Sequence, residues 1–459
     1  MIVMKFGGTS VESADAIRRV ASIVQARLGR KPVVIVSAMG KTTNKLLAIA
    51  DAAVRGERDE ALDLLADLRA FHLDQARDLI AGPERREHIE GTLGCLFDEL
   101  EELTKGISVL GELTPRATDA VSSYGERLSS ALCAAAFEEL GMPAAHVDAR
   151  DVIVTDKRHT QAAPLFAPTY ERLEATLPPI LKKNRVVVMG GFIAATEDGI
   201  ASTLGRGGSD FTAAIVGAGL GAEEIQIWTD VDGMLTADPT VMPGGRRVRI
   251  ISFAEAAELA YFGAKVLHPS TVVPAIEKNI PVLILNSRRP EVEGTRIVRE
   301  APGCANIAKS IACKKKITLV NIVSTRMLMA HGFLRRIFEI FDRFETPVDM
   351  VATTEVSVSL TIDNTSRLKE ITRELRQFSE VTVEDDQAIV CIVGENIRHT
   401  PGVASHVFRA LEDVNVRMIS QGASLLNLSV VVAQEDLRTA VERLHAEFFT
   451  EVDTEVFAA

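Results

Sequence analysis

The feature that most narrows the folds open to this chain is an alternation, sustained to about residue 295, of short apolar runs with longer amphipathic ones. The runs 2–6, 33–37, 186–189, 225–229 and 281–286 are rich in Val and Ile and bounded by Gly, Ser, Asp or Pro. That is the pattern of strands buried on both faces. Between them, Ile17, Val20, Ala21 and Val24 recur at helical spacing. Residues 44–106 read as almost uninterrupted helix, broken near Gly82-Pro83. Strands alternating with helices specify an α/β fold, an open and mostly parallel sheet with helices on both faces.

The texture changes after 288–314, a weakly periodic stretch carrying Pro290, Gly294, Pro302 and Gly303. An internal repeat follows. Gly332-Phe333 opens a helical pattern with Phe333, Ile337, Phe341 and Phe344, and Gly402-Val403 opens another with Val403, Val407, Leu411 and Val414. Each is preceded by a strand-like run (317–323 and 388–393) and followed by a two-strand run (348–363 and 416–433). Two ferredoxin-like βαββαβ units account for this. The expected domains are 1–295, 312–383 and 384–459, the last strand of the third being free to return to the second. Exposed edges of such units favour pairing between copies or subunits.

Composition limits the partners. Lys and Arg total 51 against 63 Asp and Glu, a net charge of −12, which argues against a general nucleic-acid binder. No apolar run approaches the roughly 20 residues of a membrane helix. The five cysteines are scattered without a Cys-x-x-Cys pair, so neither a disulfide framework nor a zinc site follows. The N-terminus runs directly into a strand without a signal-peptide layout, and a cytoplasmic address is expected.

Chemistry gathers where strands meet helices. Lys5-Phe6-Gly7-Gly8-Thr9-Ser10 follows the first strand. Its glycines admit an anion close to the backbone and Lys5 adds a charge for a phosphate, or it is a tight turn with Ser10 capping a helix. Leu204-Gly205-Arg206-Gly207-Gly208-Ser209-Asp210 opens an apolar helix. Arg206 there suits a carboxylate or phosphate, and Asp210 is either functional or a helix-start carboxylate. Ser37 and Thr43 follow the second strand and offer hydroxyls at the carboxyl edge of the sheet, where open α/β sheets hold ligands. Glu126 lies at an expected helix start, as ligand or cap. Thr229-Asp230 meets a nucleotide or belongs to an Asp-Gly turn. Lys265, on a mostly apolar segment, needs an anion or water; nearby His268 reads as a packed structural residue.

Taken together, Lys5–Ser10, 36–38 with Thr43-Asn44, Gly125-Glu126-Arg127, 203–210, Thr229-Asp230-Val231 and 263–269 resemble the amino-acid kinase family, and within it the aspartate kinases. The C-terminal repeat resembles their paired ACT domains. The run 327–334, followed by Val348-Asp349 and 353–357, is similar to the lysine-sensitive, monofunctional type; no fused homoserine dehydrogenase is expected. The chain departs from the family at Leu235 and Thr240, where many relatives carry an aromatic and an arginine near the nucleotide.

The resemblance implies transfer of the ATP γ-phosphoryl group to the side-chain carboxylate of L-aspartate, the first step of lysine, threonine and methionine biosynthesis. It makes Lys5, Asp210 and Lys265 catalytic, and Gly7, Gly8, Thr9, Thr229, Asp230, Leu235 and Lys265 the nucleotide and phosphate contacts. Ser37, Thr43, Glu126, Arg206 and Ser209 would hold aspartate. Mg²⁺ would bridge phosphate oxygens largely through water, with no protein metal ligand assigned. L-Lysine would inhibit at Met327, Gly332, Phe333, Leu334, Asp349, Thr353, Thr354 and Glu355, in a homodimer formed through the ACT units or a tetramer. The rivals are a kinase of glutamate, N-acetylglutamate or carbamate, and a non-catalytic lysine-binding protein on a kinase fold.

Overall fold

The structure, a computed structural model, describes residues 1–263, 267–324 and 331–458. The chain divides into two compact units, one of Met1–Gly233 with Val266–Arg299, the other of Met234–Lys265 with Glu300–Ala459.

In the first unit, strands run in the order Ala144–Val147, Val186–Gly190, Pro32–Val36, Ile2–Phe6, Glu224–Thr229, Val282–Asn286, Thr295–Val298. All are parallel except the last, which runs antiparallel to Val282–Asn286. The five apolar runs of the sequence are therefore strands; the short Ala144–Val147 and the antiparallel Thr295–Val298 were not foreseen. Side chains alternate across a strand. Ile2, Met4 and Phe6 face a core shared with the helices Ala14–Gln25, Thr42–Val54, Arg58–Leu79, Pro83–Leu110 and Pro115–Glu139. Val3 and Lys5 therefore face the opposite side, which the helix Gly208–Leu220 covers. That helix is Ala- and Gly-rich, and a Cβ on Gly217 would lie 2.7 Å from Ile225 Cδ1, so the small residue lets the helix sit close to the sheet.

The expected long helix over 44–106 is three helices. Besides the foreseen break, where Pro83 takes the first helical position, the chain turns at Gly56 in the left-handed region (φ +79°). Ser10 does not cap a helix. A single 3₁₀ turn, Gly8–Ser10, follows the first strand; the helix starts at Ala14, capped by Ser13, whose side chain accepts from Ala16 N.

The second unit is built on a six-stranded antiparallel sheet in the order Met350–Thr353, Ser357–Ile362, Ser310–Val323, Glu380–Val393, Asn427–Ala433, Val416–Gln421. Both βαββαβ units are present, with helices Phe333–Arg343 and Leu368–Leu375 in the first and Val403–Ala410 and Leu437–Phe448 in the second. Two 14-residue strands belong to both copies. Ile317–Val323 pairs with 380–387 within the first copy, whereas Ser310–Lys314 pairs with 389–393 and supplies the fourth strand of the second.

The segment Met234–Lys265 joins this unit through its helix Phe253–Tyr261. Glu255 completes a capping box with Ser252 and ion-pairs with Lys309 at 3.0 Å, both side chains being almost fully buried. Glu258 accepts from Ser424 Oγ and Asn427 Nδ2, each at 2.6 Å. Removing one partner of a buried pair strands the other charge, so Lys309→Met should destabilise the second unit by about 3–5 kcal/mol. Urea unfolding followed by hydrogen exchange in residues 310–323 measures this, and an unchanged midpoint would show the pair to be idle.

Candidate active site

The parallel strands of the first unit end together, and the loops leaving them surround a cavity of about 360 Å³. Its lining includes Lys5, Gly8, Ser37, Thr43, Glu126 and Ser209-Asp210. Lys5 projects from the first strand between its register neighbours Ile35 and Ile227, which offer it no polar group. Its charge is met by Asp210, Nζ to Oδ1 at 2.6 Å, both side chains being mostly buried. Asp210 stands in the first turn of the helix Gly208–Leu220, whose N-terminus presents free N–H groups and a partial positive charge. Gly207, at φ +71°, turns the chain into this helix; a Cβ there would lie 2.9 Å from Thr271 Cγ2, so the loop packs directly on the turn 268–271. The cavity thus combines an ammonium, a helix N-terminus and a Gly-rich wall, an arrangement suited to phosphate.

Glu126 is the second charged element. It does not start a helix; it lies in the middle of Pro115–Glu139, which is capped by Thr114, so the capping alternative is excluded. Its Oε1 accepts from Ala38 N at 3.1 Å, and its buried Oε2 has no partner among the described residues. Burial pushes its pKa up to about 8. Two glycines make room for it. A Cβ on Gly125 would come 2.8 Å from Ala38 Cβ, and one on Gly190 2.9 Å from Glu126 Cβ. An unpaired buried carboxylate facing a cavity asks for a cationic ligand group. Beside it Ser37 Oγ donates to Ser209 Oγ at 3.0 Å, and Ser129 Oγ donates to Ser37 O at 2.8 Å.

Arg206 is exposed between the cavity-lining Gly205 and Gly207 and forms no ion pair among the described residues. Gly7 N donates to Trp228 O at 3.1 Å, and Thr9 is exposed in the 3₁₀ turn. Thr229 Oγ1 donates to Asp230 Oδ1 at 3.2 Å at the end of its strand; neither residue lines the cavity. Leu235 and Thr240 belong to the second unit. Lys265 and Met327 lie outside the described residues. His268 is exposed and bonded to Ser270 Oγ through Nδ1, so the expectation of a packed residue is corrected; the turn-forming Pro269 keeps it at the surface.

One residue escaped the sequence reading. Asp119, one heptad before Glu126 on the same helix face, is buried and accepts from Thr203 Oγ1 (2.6 Å) and Thr160 N (3.0 Å) and pairs with His159 Nδ1 (2.8 Å). It anchors the strand that leads into the Gly-rich loop. The signal was a carboxylate on the buried stripe of an otherwise small-residue helix.

In the second unit, Gly332 precedes the helix Phe333–Arg343 at φ +80°, with Leu334 exposed. Thr353 ends a strand, and Thr354 with Ser357 closes the turn that exposes Glu355. Asp349 is nearly buried, and desolvation raises its pKa against the pull of Lys314.

Residues 1–286 match the amino acid kinase family, over half of the chain. This chain belongs to the amino acid kinase family. Residues 390–448 match an ACT domain. Over 466 residues the chain is 40% identical to aspartokinase 2, chloroplastic, of Arabidopsis thaliana, covering 97% of this chain and 84% of that one. It is similar to two solved structures of Escherichia coli aspartokinase III. One, in complex with lysine and aspartate, gives a TM-score of 0.85 at 35% identity, covering 98% of this chain and 99% of that one. The other, with aspartate and ADP, gives 0.82 at 36%, covering 98% and 100%. Among the described residues no helix is long and apolar enough to cross a membrane.

The raised pKa of Glu126 sets a stability prediction. A carboxyl whose folded pKa lies near 8, against about 4.5 unfolded, costs nothing below the unfolded value. Its cost grows as the pH rises through that interval and is complete above 8. Glu126→Gln should therefore raise the melting temperature of the ligand-free protein at pH 8 and barely change it at pH 4.5. A gain of equal size at both pH values would mean that Glu126 is already ionised or paired.

Proposed function

We propose that this chain is an aspartate kinase, moving the ATP γ-phosphoryl group to the side-chain carboxylate of L-aspartate to give 4-phospho-L-aspartate and ADP. The observation that carries this reading is the pairing, in one cavity, of a phosphate-suited Lys5 and helix N-terminus with an unsatisfied Glu126 carboxylate. The Escherichia coli relative in complex with aspartate and ADP supports it.

In this reading Glu126 Oε2 takes the α-ammonium of aspartate, Arg206 its α-carboxylate, and Ser37, Thr43 and Ser209 add hydroxyl contacts. The free carboxylate is already an anionic nucleophile and needs no general base. One of its oxygens attacks Pγ while the bond from Pγ to the bridging oxygen breaks, and ADP leaves with that electron pair. Catalysis then rests on in-line positioning and on neutralising charge, supplied by Lys5, the Gly8 backbone and Lys265; the Gly7 amide, already given to Trp228 O, lets the chain pass close to the phosphates without donating to them. Asp210 keeps the Lys5 ammonium aimed rather than acting as a base. Thr9, Thr229 and Asp230 are assigned to the nucleotide site, as the resemblance also assigns Leu235, and Mg²⁺ accompanying ATP would neutralise part of the phosphate charge. The kinase domain is assigned to 1–295 and the ACT domains to 312–383 and 384–459. L-Lysine is assigned as inhibitor at Gly332, Phe333, Leu334, Asp349, Thr353, Thr354 and Glu355, with Met327. Exposed Val323, Leu334, Phe338, Val351 and Val356 leave apolar surface on the first repeat, which supports a homodimer formed through it. The address is cytoplasmic.

Phosphorylation of aspartate, trapped as the hydroxamate, tests the reading, with glutamate, N-acetylglutamate and carbamate as competitors; a better rate with any of these overturns it. Lys5→Ala should lower turnover by about 10²–10³ in a protein that remains folded by circular dichroism. Near-normal turnover would remove the phosphate role. Arg206→Ala should raise the KM for aspartate far more than that for ATP, and an unchanged aspartate dependence would return Arg206 to an ordinary loop.

A further inference from the structure

The second unit contains a site for a primary ammonium that is already filled. Lys314, at a register shift in the strand Ser310–Val323, places Nζ 2.7 Å from Asp349 Oδ1 and 2.8 Å from Asp363 Oδ2. The ring of Tyr261 lies 5.9 Å from the same nitrogen, and the Tyr261 hydroxyl reaches the backbone oxygen of Asp349 at 3.5 Å. Asp349 Oδ2 is buried without a hydrogen-bond partner among the described residues, so the cage offers a further acceptor there. Two carboxylates and an aromatic face are the groups that would recognise the distant end of free lysine.

We propose that Lys314 is a tethered competitor of the inhibitor. Its ammonium holds the place that the side-chain ammonium of free lysine must take, so inhibition begins only when Lys314 is displaced from Asp349. This rests on the reading that lysine acts at Asp349.

The geometry explains why displacement would be felt beyond the cage. Lys314 belongs to the strand segment that completes the second repeat, whereas Asp349 and Asp363 flank strands of the first. Exchange of one ammonium for another therefore cuts a cross-link between the repeats without leaving either carboxylate unpaired. The backbone at Cys313-Lys314 also supports the turn after Tyr261: a Cβ on Gly263 (φ +116°) would fall 2.2 Å from Cys313 O, so that turn rests directly on the strand. A structural ion pair alone predicts something different, namely that removing Lys314 loosens the site and weakens inhibition.

Inhibition curves on the full-length protein, each normalised to its own uninhibited rate, separate these cases. Lys314→Met should lower the lysine concentration for half-inhibition at least fivefold, and Lys314→Arg should keep it within about twofold. Unchanged or weaker inhibition in Lys314→Met overturns the proposal. A measurement on the unaltered protein guards against a variant that fails to fold. Acetylation of Lys314 by acetic anhydride, read by mass spectrometry, should rise severalfold in saturating lysine, and an unchanged or reduced rate overturns the proposal. Asp349→Ala distinguishes the two levels. Full lysine sensitivity in that variant removes the effector site and the competitor with it. Loss of sensitivity there, without tightening in Lys314→Met, removes the competitor alone.

Discussion

The ion pair between Lys5 and Asp210 organises the first unit. Lys5 stands on a strand whose neighbours in register are apolar, in a sheet buried on both faces, and an ammonium there cannot go unpaired. Asp210 meets it from the first turn of a helix small enough in section to approach the sheet. The position of that turn places Ser209 against Ser37, and the Gly205–Gly208 loop against the cavity. One charge-assisted contact thus sets the distance between a strand end and a helix start, and the cavity is the space left between them.

Much of this architecture was legible because burial on both sides leaves a strong trace in sequence. The strands Ile2–Phe6, Pro32–Val36, Val186–Gly190, Glu224–Thr229 and Val282–Asn286 stood out as Val- and Ile-rich runs with turn residues at their ends. The helix repeat of the second unit stood out through Gly332 and Gly402, whose left-handed conformations mark the two equivalent starts. The turn at Gly56 was less visible, since one glycine in a helical stretch weakens the pattern without breaking its period. Ala144–Val147 and Thr295–Val298 are only four residues each, too short for composition to mark them, and they are held by pairing with their neighbours.

The site was legible by residue type rather than by setting. Lys5, Ser209 and Asp210 sit at strand ends and helix starts, as their glycine neighbours suggested. Glu126 and Asp119 do not; both are carboxylates in the interior of one long helix, and their roles depend on partners at Ala38 and Thr203, far away in sequence. For Glu126, beside Gly125, the local sequence reads equally as a cap. Only the space cleared by Gly125 and Gly190 shows that Glu126 was accommodated rather than tolerated.

The sharing of Ser310–Val323 and Glu380–Val393 between the two repeats has a consequence for biogenesis. The fourth strand of the second repeat is synthesised before any part of the first, and its ladder partner in the sheet, residues 389–393, is made about 75 residues later. During that interval Ile311, Ala312 and Cys313, all buried at the end, form an apolar edge on the growing chain without that ladder partner. The duplication also cannot be divided afterwards, because every cut between the repeats either severs a continuous strand or leaves one copy short of its fourth. Two modules in sequence have become a single cooperative body, and the regulatory half must assemble, unfold and evolve as one piece.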